Sequence, residues 1–417
     1  MNMHWKKNIT LFLASQTLSL FGSSLVQYAI LWYITLNTQS GVMMTLSIIC
    51  GFVPMFLLSP FAGVWADRYS RKWLIVLSDS IIAASTLILA LLFLLGYDEL
   101  WMLFVVSAVR ALGGGVQTPA VAAMLPQLVP EDKLTRIGGI NASIQSMVML
   151  LSPMLSGALL TMASIEIIFF VDVITAAAAV LTMFFFVRVP VHAKAAAEQT
   201  LSYLEDLRQG FSYIRQHAYI RSFFIFCAFF FVLAAPVSFL TPLQVTRTFG
   251  GDIWRLTAIE ITFSIGMMLG GLLMAAWPGF RNRVHTMTMS ALAVGLCTFA
   301  LGVIPVFWIY LGVMALVGLA LPFFNTPSTV LLQEKVEPDY LGRVFGVLGM
   351  ISSSMMPLGM LVFGPLADLI RIEWLLMITG ILLFIQGFFL LGNKVLIEAG
   401  KPAAWPEPEP VAAREAD

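Results

Sequence analysis

Gly63-Val-Trp-Ala-Asp67-Arg68-Tyr-Ser70-Arg71-Lys72 stands between two long apolar runs, and no other ten residues of the 417 say as much. Three cations and one carboxylate form a charged hairpin between segments long enough to cross a bilayer. By the positive-inside bias such a hairpin lies on the cytoplasmic face, and it orients everything around it.

The flanking runs set the class. The chain is 59% hydrophobic and only 11% charged, where a soluble domain carries about a quarter charged residues. A formal net charge of zero gives no electrostatic case for nucleic acid. Crossing the hydrocarbon core takes about 20 apolar residues. On that measure the sequence predicts an all-α membrane protein with twelve transmembrane helices, near 9–36, 41–66, 73–95, 101–127, 137–162, 165–188, 220–246, 255–278, 285–303, 306–332, 343–370 and 373–393. Lys6 and Lys7 before the first run imitate a signal peptide. That run is too long, however, and Trp32-Tyr33 stands where small cleavage-site residues belong, so an uncleaved first span is expected. Both termini are then cytoplasmic. The cations agree with this topology: Lys6, Lys7, Arg68, Arg71, Lys72, Lys133, Arg136 and most others fall on one side, against Arg247, Arg255 and Arg371 on the other.

The helices divide six and six. The expected units are an N-terminal half (1–188), a cytoplasmic linker (189–219), a C-terminal half (220–393) and a disordered cytoplasmic tail (394–417). The end of the tail is rich in Pro, Ala and Glu without periodicity. In the linker Leu201, Leu204, Leu207, Phe211 and Ile214 recur at helical spacing. They predict an amphipathic helix, either on the inner membrane surface or packed on the cytoplasmic ends of the bundle. Duplication supports the division. Thr118-Pro119, Gln127, Val129, Leu134 and Arg136 have counterparts 206 to 208 residues later in Thr326-Pro327, Gln333, Val336, Leu341 and Arg343. Two parallel six-helix halves describe a secondary transporter with its site between them, near the middle of the membrane.

These residues resemble the major facilitator superfamily over essentially the whole chain. Gly63–Lys72 is similar to that family's loop G-x-x-x-D-R-x-G-R-K/R, with Ser70 in place of the usual Gly. Ser15-Gln16-Thr-Leu-Ser19-Leu-Phe-Gly22, Leu204-Glu-Asp-Leu-Arg208-Gln-Gly210 and Leu341-Gly342-Arg343-Val-Phe345-Gly346 narrow the resemblance to the drug-antiporter branch that includes macrolide-efflux proteins. The resemblance implies proton-coupled efflux of drugs or amphiphilic small molecules by alternating access, in a bacterial inner membrane and as a monomer. The partners implied are a small-molecule substrate, protons and lipid. An uptake carrier, a siderophore or metabolite exporter, and a non-transporting membrane sensor are the alternatives. By the same resemblance Gly63, Asp67, Arg68, Arg71 and Lys72 form a cytoplasmic gate motif that engages the start of helix 11 near Val344 and Phe345. A carboxylate at a helix N-terminus is worth about 0.3–1 kcal/mol when exposed. The counterpart loop, Gly279-Phe-Arg281-Asn-Arg283, keeps cations but has no Asp.

Ionisable residues inside spans are costly and face a cavity or a partner. Arg110 lies near the bilayer middle, with Gly114, Gln117 and Thr118 following at helical spacing. It resembles the family's Arg-containing helix 4 motif, which implies proton coupling; a structural ion pair or carbonyl clamp is the other reading. Candidate carboxylates are Asp79, Asp172 and Glu260. Asp79 is expected to meet the loop cations or Arg136. Asp172 is coupling or structural, and Glu260 either opens onto a cavity or pairs with Arg255 or Arg247. Gln27, Tyr28, Trp32, Gln117, Phe324 and Asn325 are candidate cavity residues, because aromatics with amides and little charge suit amphiphilic cargo; helix packing is the bland reading. Enzyme parts, metal clusters and cofactor loops are not expected: no phosphate loop, His pair or Cys cluster occurs, and Cys50, Cys227 and Cys297 fall singly in apolar runs.

Overall fold

A computed structural model describes residues 4–187, 189 and 203–401, without the side chains of His4, Ser59, Pro60, Val64, Asp67, Glu131, Thr135, 203–207, Pro338 and Asp339. Among the described residues there are sixteen α-helices and no strand. Twelve stretches are long and apolar enough to cross a membrane. The first six spans are α1 (His4–Thr38), α2 (Gly41–Arg68), α3 (Arg71–Leu94), α4 (Leu100–Leu128), α5 (Leu134–Met162) and α6 (Ile165–Phe186). After α7 (Tyr203–Gln216) comes the seventh span, made of α8 (Ala218–Phe239) and α9 (Thr241–Thr248). Then follow α10 (Ile253–Ala276), α11 (Arg283–Val303), a tenth span of α12 (Phe307–Ala320) and α13 (Pro322–Lys335), α14 (Pro338–Leu369), α15 (Ile372–Gly392) and the short α16 (Lys394–Ala399).

Local chemistry explains the interruptions. Proline lacks an N–H and is at home in a first helical turn. Pro242 opens α9, Pro322 opens α13, and each interrupts an apolar run that composition alone reads as one span. Asn393 caps α16 by accepting the backbone N–H groups of Val395 and Leu396, which is why an ordered turn begins where a disordered tail was expected. Residues 402–417 lie outside the described set, as do Arg188, His192 and Lys194.

The two six-helix halves each bury their own apolar faces. Ile9, Ile75, Met124 and Val187 belong to a cluster within the first half, and Phe224, Met287, Leu331 and Val347 to one within the second. A further cluster crosses between the halves: Trp32 and Met44 pack with Leu240, Leu243, Leu256, Ile259 and Met360. It lies at the end of the bundle that carries the α1–α2 loop. Described cross-half hydrogen bonds gather at that end too. Thr45 donates to the Met360 carbonyl at 3.1 Å, and Asp368 receives Ser40 at 2.7 Å. Toward the opposite end, α5 packs on its own half through Ile137 and Ile144, while Ala142, Ser143, Gln145, Ser146 and Met147 on its other faces are exposed. The halves are therefore joined at one end and parted at the other.

The linker helix packs on the bundle rather than lying free. Tyr213 and Ile214 are buried in the second-half cluster, and the Tyr213 ring stacks on Tyr340 with centroids 4.4 Å apart. Phe211, on the other face, is exposed.

Candidate transport site

Four helices of the first half enclose a column of polar side chains. At its middle Arg110 of α4 meets Asp172 of α6, Nη1 to Oδ2 at 2.5 Å. Asp172 is fully buried and also accepts from Thr86 of α3 at 3.0 Å; Arg110 donates to Thr86 as well, and its Nη2 reaches the Ser23 carbonyl of α1 at 3.1 Å. Thus Arg110 makes both an ion pair and a carbonyl clamp. Among the described residues Asp172 Oδ1 is buried without a hydrogen-bond partner. The contact is tight because Gly22 of α1 has no side chain: a Cβ there would overlap the Thr175 hydroxyl and press on Asp172 Oδ1.

The second part of the column is built on the same helices. Asp79 of α3 is buried and accepts Ser19 of α1 at 2.8 Å and the Gln117 amide of α4 at 2.6 Å, both on Oδ1. Asp79 and Thr86 are seven residues apart on α3, and so are Gln117 and Arg110 on α4, so the two clusters sit about 10 Å apart along the helices. Asp79 therefore meets a hydroxyl and an amide, not the loop cations or Arg136. The reason is helical phase: the face of α3 that carries Asp79 also carries Ile75, Ile82 and Thr86, and that face is buried against α4 and α6.

The charged hairpin closes the base of the same half. Arg71 donates to the carbonyls of Ala66 at 3.0 Å and Ala123 at 2.7 Å. Lys72 donates to those of Phe184 at 2.9 Å and Val187 at 2.8 Å. Arg71 thereby ties the end of α2 to α4, and Lys72 completes the end of α6, where carbonyls lack helical partners. Arg68 is exposed and Gly63 half-buried. The Asp67 side chain lies outside the described residues. Val344, its expected neighbour, is buried in the second-half cluster with Phe345 packed against it.

Of the expected cavity residues, Tyr28 is half-buried and packs against the cross-half cluster, and Glu260 is half-buried beside its members Leu256 and Ile259. The expected pairing of Glu260 with Arg255 or Arg247 is not found, since Arg255 pairs with Asp252 at 3.3 Å and Arg247 with Asp368 at 2.8 Å. Gln27 and Asn325 are exposed. Trp32 is instead fully buried in the cross-half cluster, with the Tyr28 ring tilted against it at 5.7 Å. Phe324 is also a core residue, stacked on Phe230 at 4.9 Å and Phe226 at 5.8 Å. Both rings are drawn into packing because burying an aromatic side chain yields more than lining an open space. Among the described residues no group of His, Cys, Asp or Glu has metal-site geometry.

A family model described as Major Facilitator Superfamily matches residues 12–360. The chain belongs to the Major Facilitator Superfamily. Its relatives include macrolide efflux protein A of Streptococcus pyogenes, 30% identical over 91% of this chain and 94% of that protein. The staphyloferrin A transporter of Staphylococcus aureus is 23% identical over 93% and 97% of the two chains. Among solved structures, a bacterial homolog of the human lysosomal transporter Spinster, inward-facing and unoccupied, superposes with a TM-score of 0.72. That match has 15% identity and covers 97% of this chain and 100% of that one. The fold and relatives are those of transporters, and the chain is a multi-pass membrane transporter of this superfamily with macrolide-efflux relatives.

Sequence reasoning overlooked Asp368, although an acid closing an apolar span opposite a helix that starts at Ser40-Gly41 was a readable signal. It also left Ser19 and Thr86 out of the polar column. Hydroxyls inside spans are common, and nothing in the order of residues says which ones meet a carboxylate.

Proposed function

We propose that this transporter exports drugs or amphiphilic small molecules, macrolide-like in size, in exchange for protons by alternating access. The observation that carries the reading is the asymmetry between the two ends: a cross-half cluster seals one, while at the other α5 packs through Ile137 and Ile144 on its own half and leaves Ser143, Gln145, Ser146 and Met147 exposed. With the positive hairpin on the cytoplasmic side of a bacterial inner membrane, both termini are cytoplasmic and the parted end opens inward, where an exporter loads its cargo. The N-terminal half is 1–188, the linker 189–219 and the C-terminal half 220–393, and the working unit is one chain.

The proton path in this reading is the polar column. Asp79 and Asp172 exchange the proton, and Arg110 shifts between Asp172 and the Ser23 carbonyl as the charge on Asp172 changes. The Gly63–Lys72 motif, through Asp67 and the start of α14, holds the inner end shut in the opposite state. Siderophores supply the second reading, since relatives carry such names. Arg110, already committed to Asp172, leaves no cation for an anionic siderophore at that level.

Proton release from purified protein tests the reading. Addition of an exported macrolide to weakly buffered protein should release protons, and Asp79→Asn with Asp172→Asn should abolish the release. Cargo binding without any proton release would remove the coupling.

A further inference from the structure

The bundle takes one face of the linker helix and leaves the other open. Gly210, Tyr213 and Ile214 of α7 are buried, and a Cβ on Gly210 would stand only 3.2 Å from that of Arg343 in α14. The Tyr213 hydroxyl accepts the backbone N–H of Glu337, the residue before α14, at 3.3 Å. These contacts fix the rotation of α7 about its axis. Its open face carries Arg208, Phe211, Ser212 and Arg215, at i, i+3, i+4 and i+7, and all four are exposed.

The next helix places that face relative to the bilayer. Only His217 separates α7 from α8, which begins the seventh span. Arg221 in the first turn of α8 is exposed, and exposed Ile225 and Phe229 continue its face one and two turns on. On a membrane-crossing helix such an apolar stripe meets acyl chains. Arg221, about 6 Å along the axis from Ile225, is therefore at headgroup depth, and α7 leaves the span at that level.

Charge and shape at this corner describe one partner. Among the described residues neither Arg215 nor Arg221 makes an ion pair, whereas Arg283 is paired with Glu334 at 2.9 Å and Lys401 with Glu398 at 2.7 Å. The acids of α7, Glu205 and Asp206, fall at its far end, about 14 Å or more along the axis from Arg215. Guanidinium groups match the oxygens of a phosphodiester, and an aromatic ring beside them suits the boundary between headgroups and acyl chains.

We propose that the α7–α8 corner, Phe211 with Arg215 and Arg221, is a docking site for anionic phospholipid headgroups, with the Phe211 ring entering the acyl boundary. The lipid then holds α7 from outside while Gly210 and Tyr213 hold it on the start of α14, so the leaflet's charge bears on the element that the gate motif is expected to engage. The site involves neither cargo nor protons and stands apart from the direction and coupling of transport.

Quenching of a fluorophore on Ser212→Cys, in the full chain without its native cysteines, tests it. The protein is reconstituted in equal parts phosphatidylcholine and phosphatidylglycerol, with one lipid or the other doxyl-labelled on its acyl chain. Doxyl-phosphatidylglycerol should quench about twofold or more better than doxyl-phosphatidylcholine. Arg215→Ala with Arg221→Ala should bring the two to parity, and lysine at both positions should keep the preference, which separates charge from damage to the fold. Phe211→Ala should reduce quenching by both lipids. Equal quenching by the two lipids in the parent protein, or quenching by neither, overturns the assignment; the second result would mean that this face of α7 meets water or another protein.

Discussion

The Asp368 carboxylate, at the far end of α14, receives the Gly41 backbone N–H at 2.7 Å, so one half of the molecule caps a helix that belongs to the other. Val42 N–H at 3.0 Å and the Ser40 hydroxyl at 2.7 Å complete the contact, and Arg247 supplies the counter-charge at 2.8 Å. Carboxylates are stabilised at helix N-termini by the free N–H groups and the helix dipole. This contact joins the end of α14 to the start of α2. The superfamily motif implies the reverse relation at the other end, Asp67 near the end of α2 and the start of α14. Two acids at opposite ends of the same helix pair would then favour opposite states.

Asp368→Ala should loosen the joined end by about 1–2 kcal/mol, the size of a partly exposed charged cap. Spin labels on Val42 and Leu369, both exposed, would read it in a background lacking the native cysteines. The parent protein should show one short distance and the variant an added long one. An unchanged distribution means the cap does not hold the halves together.

Gly157→Val should part the same end by steric means, because the new side chain meets Thr257 where even a Cβ does not fit. Thr257→Gly in the same chain should restore contact and transport. Loss of transport that Thr257→Gly fails to rescue would point to damage within α5 alone.

Arg110→Ala leaves Asp172 buried without its cation, a change that costs about 3–5 kcal/mol in buried pairs. Transport should be lost and the melting temperature should fall. Adding Asp172→Asn to Arg110→Ala should recover most of the stability but not proton-coupled transport. Full transport by Arg110→Ala would contradict the coupling role.

Much of this was legible in the chain. The twelve spans follow from apolar length, and their limits differ from the helices by only a few residues because lipid rewards length and composition directly. Pairing was not legible. Helical phase says that Asp79, Asp172 and Glu260 lie on particular faces, but not which helix each face meets. For that reason the sequence offers Asp79 the loop cations or Arg136, and leaves Glu260 between a cavity and a pairing with Arg255 or Arg247. The interruptions at Leu240 and Leu321 escaped a reading by composition, since Pro242 and Pro322 sit in runs otherwise apolar enough to read straight through. Trp32 and Phe324 show the same limit: an aromatic on a half-facing helix either lines a space or fills one, and only the packing decides.

Asp79→Asn keeps an oxygen to accept Ser19 and Gln117 while removing the ability to exchange a proton. Expression and thermal stability should stay within about 1 kcal/mol of the parent protein, and cargo movement should lose its dependence on a pH gradient. A pH-gradient response equal to the parent's assigns the proton to Asp172.

Flux under an imposed pH gradient tests the central claim most directly. Inverted membrane vesicles carrying the protein would be acidified inside and supplied with a radiolabelled macrolide outside. The account predicts uptake into the vesicles that rises with the gradient, collapses on addition of a proton ionophore and is absent for Arg110→Ala. Uptake that persists unchanged after the ionophore, or no uptake from this face at any gradient, would contradict it.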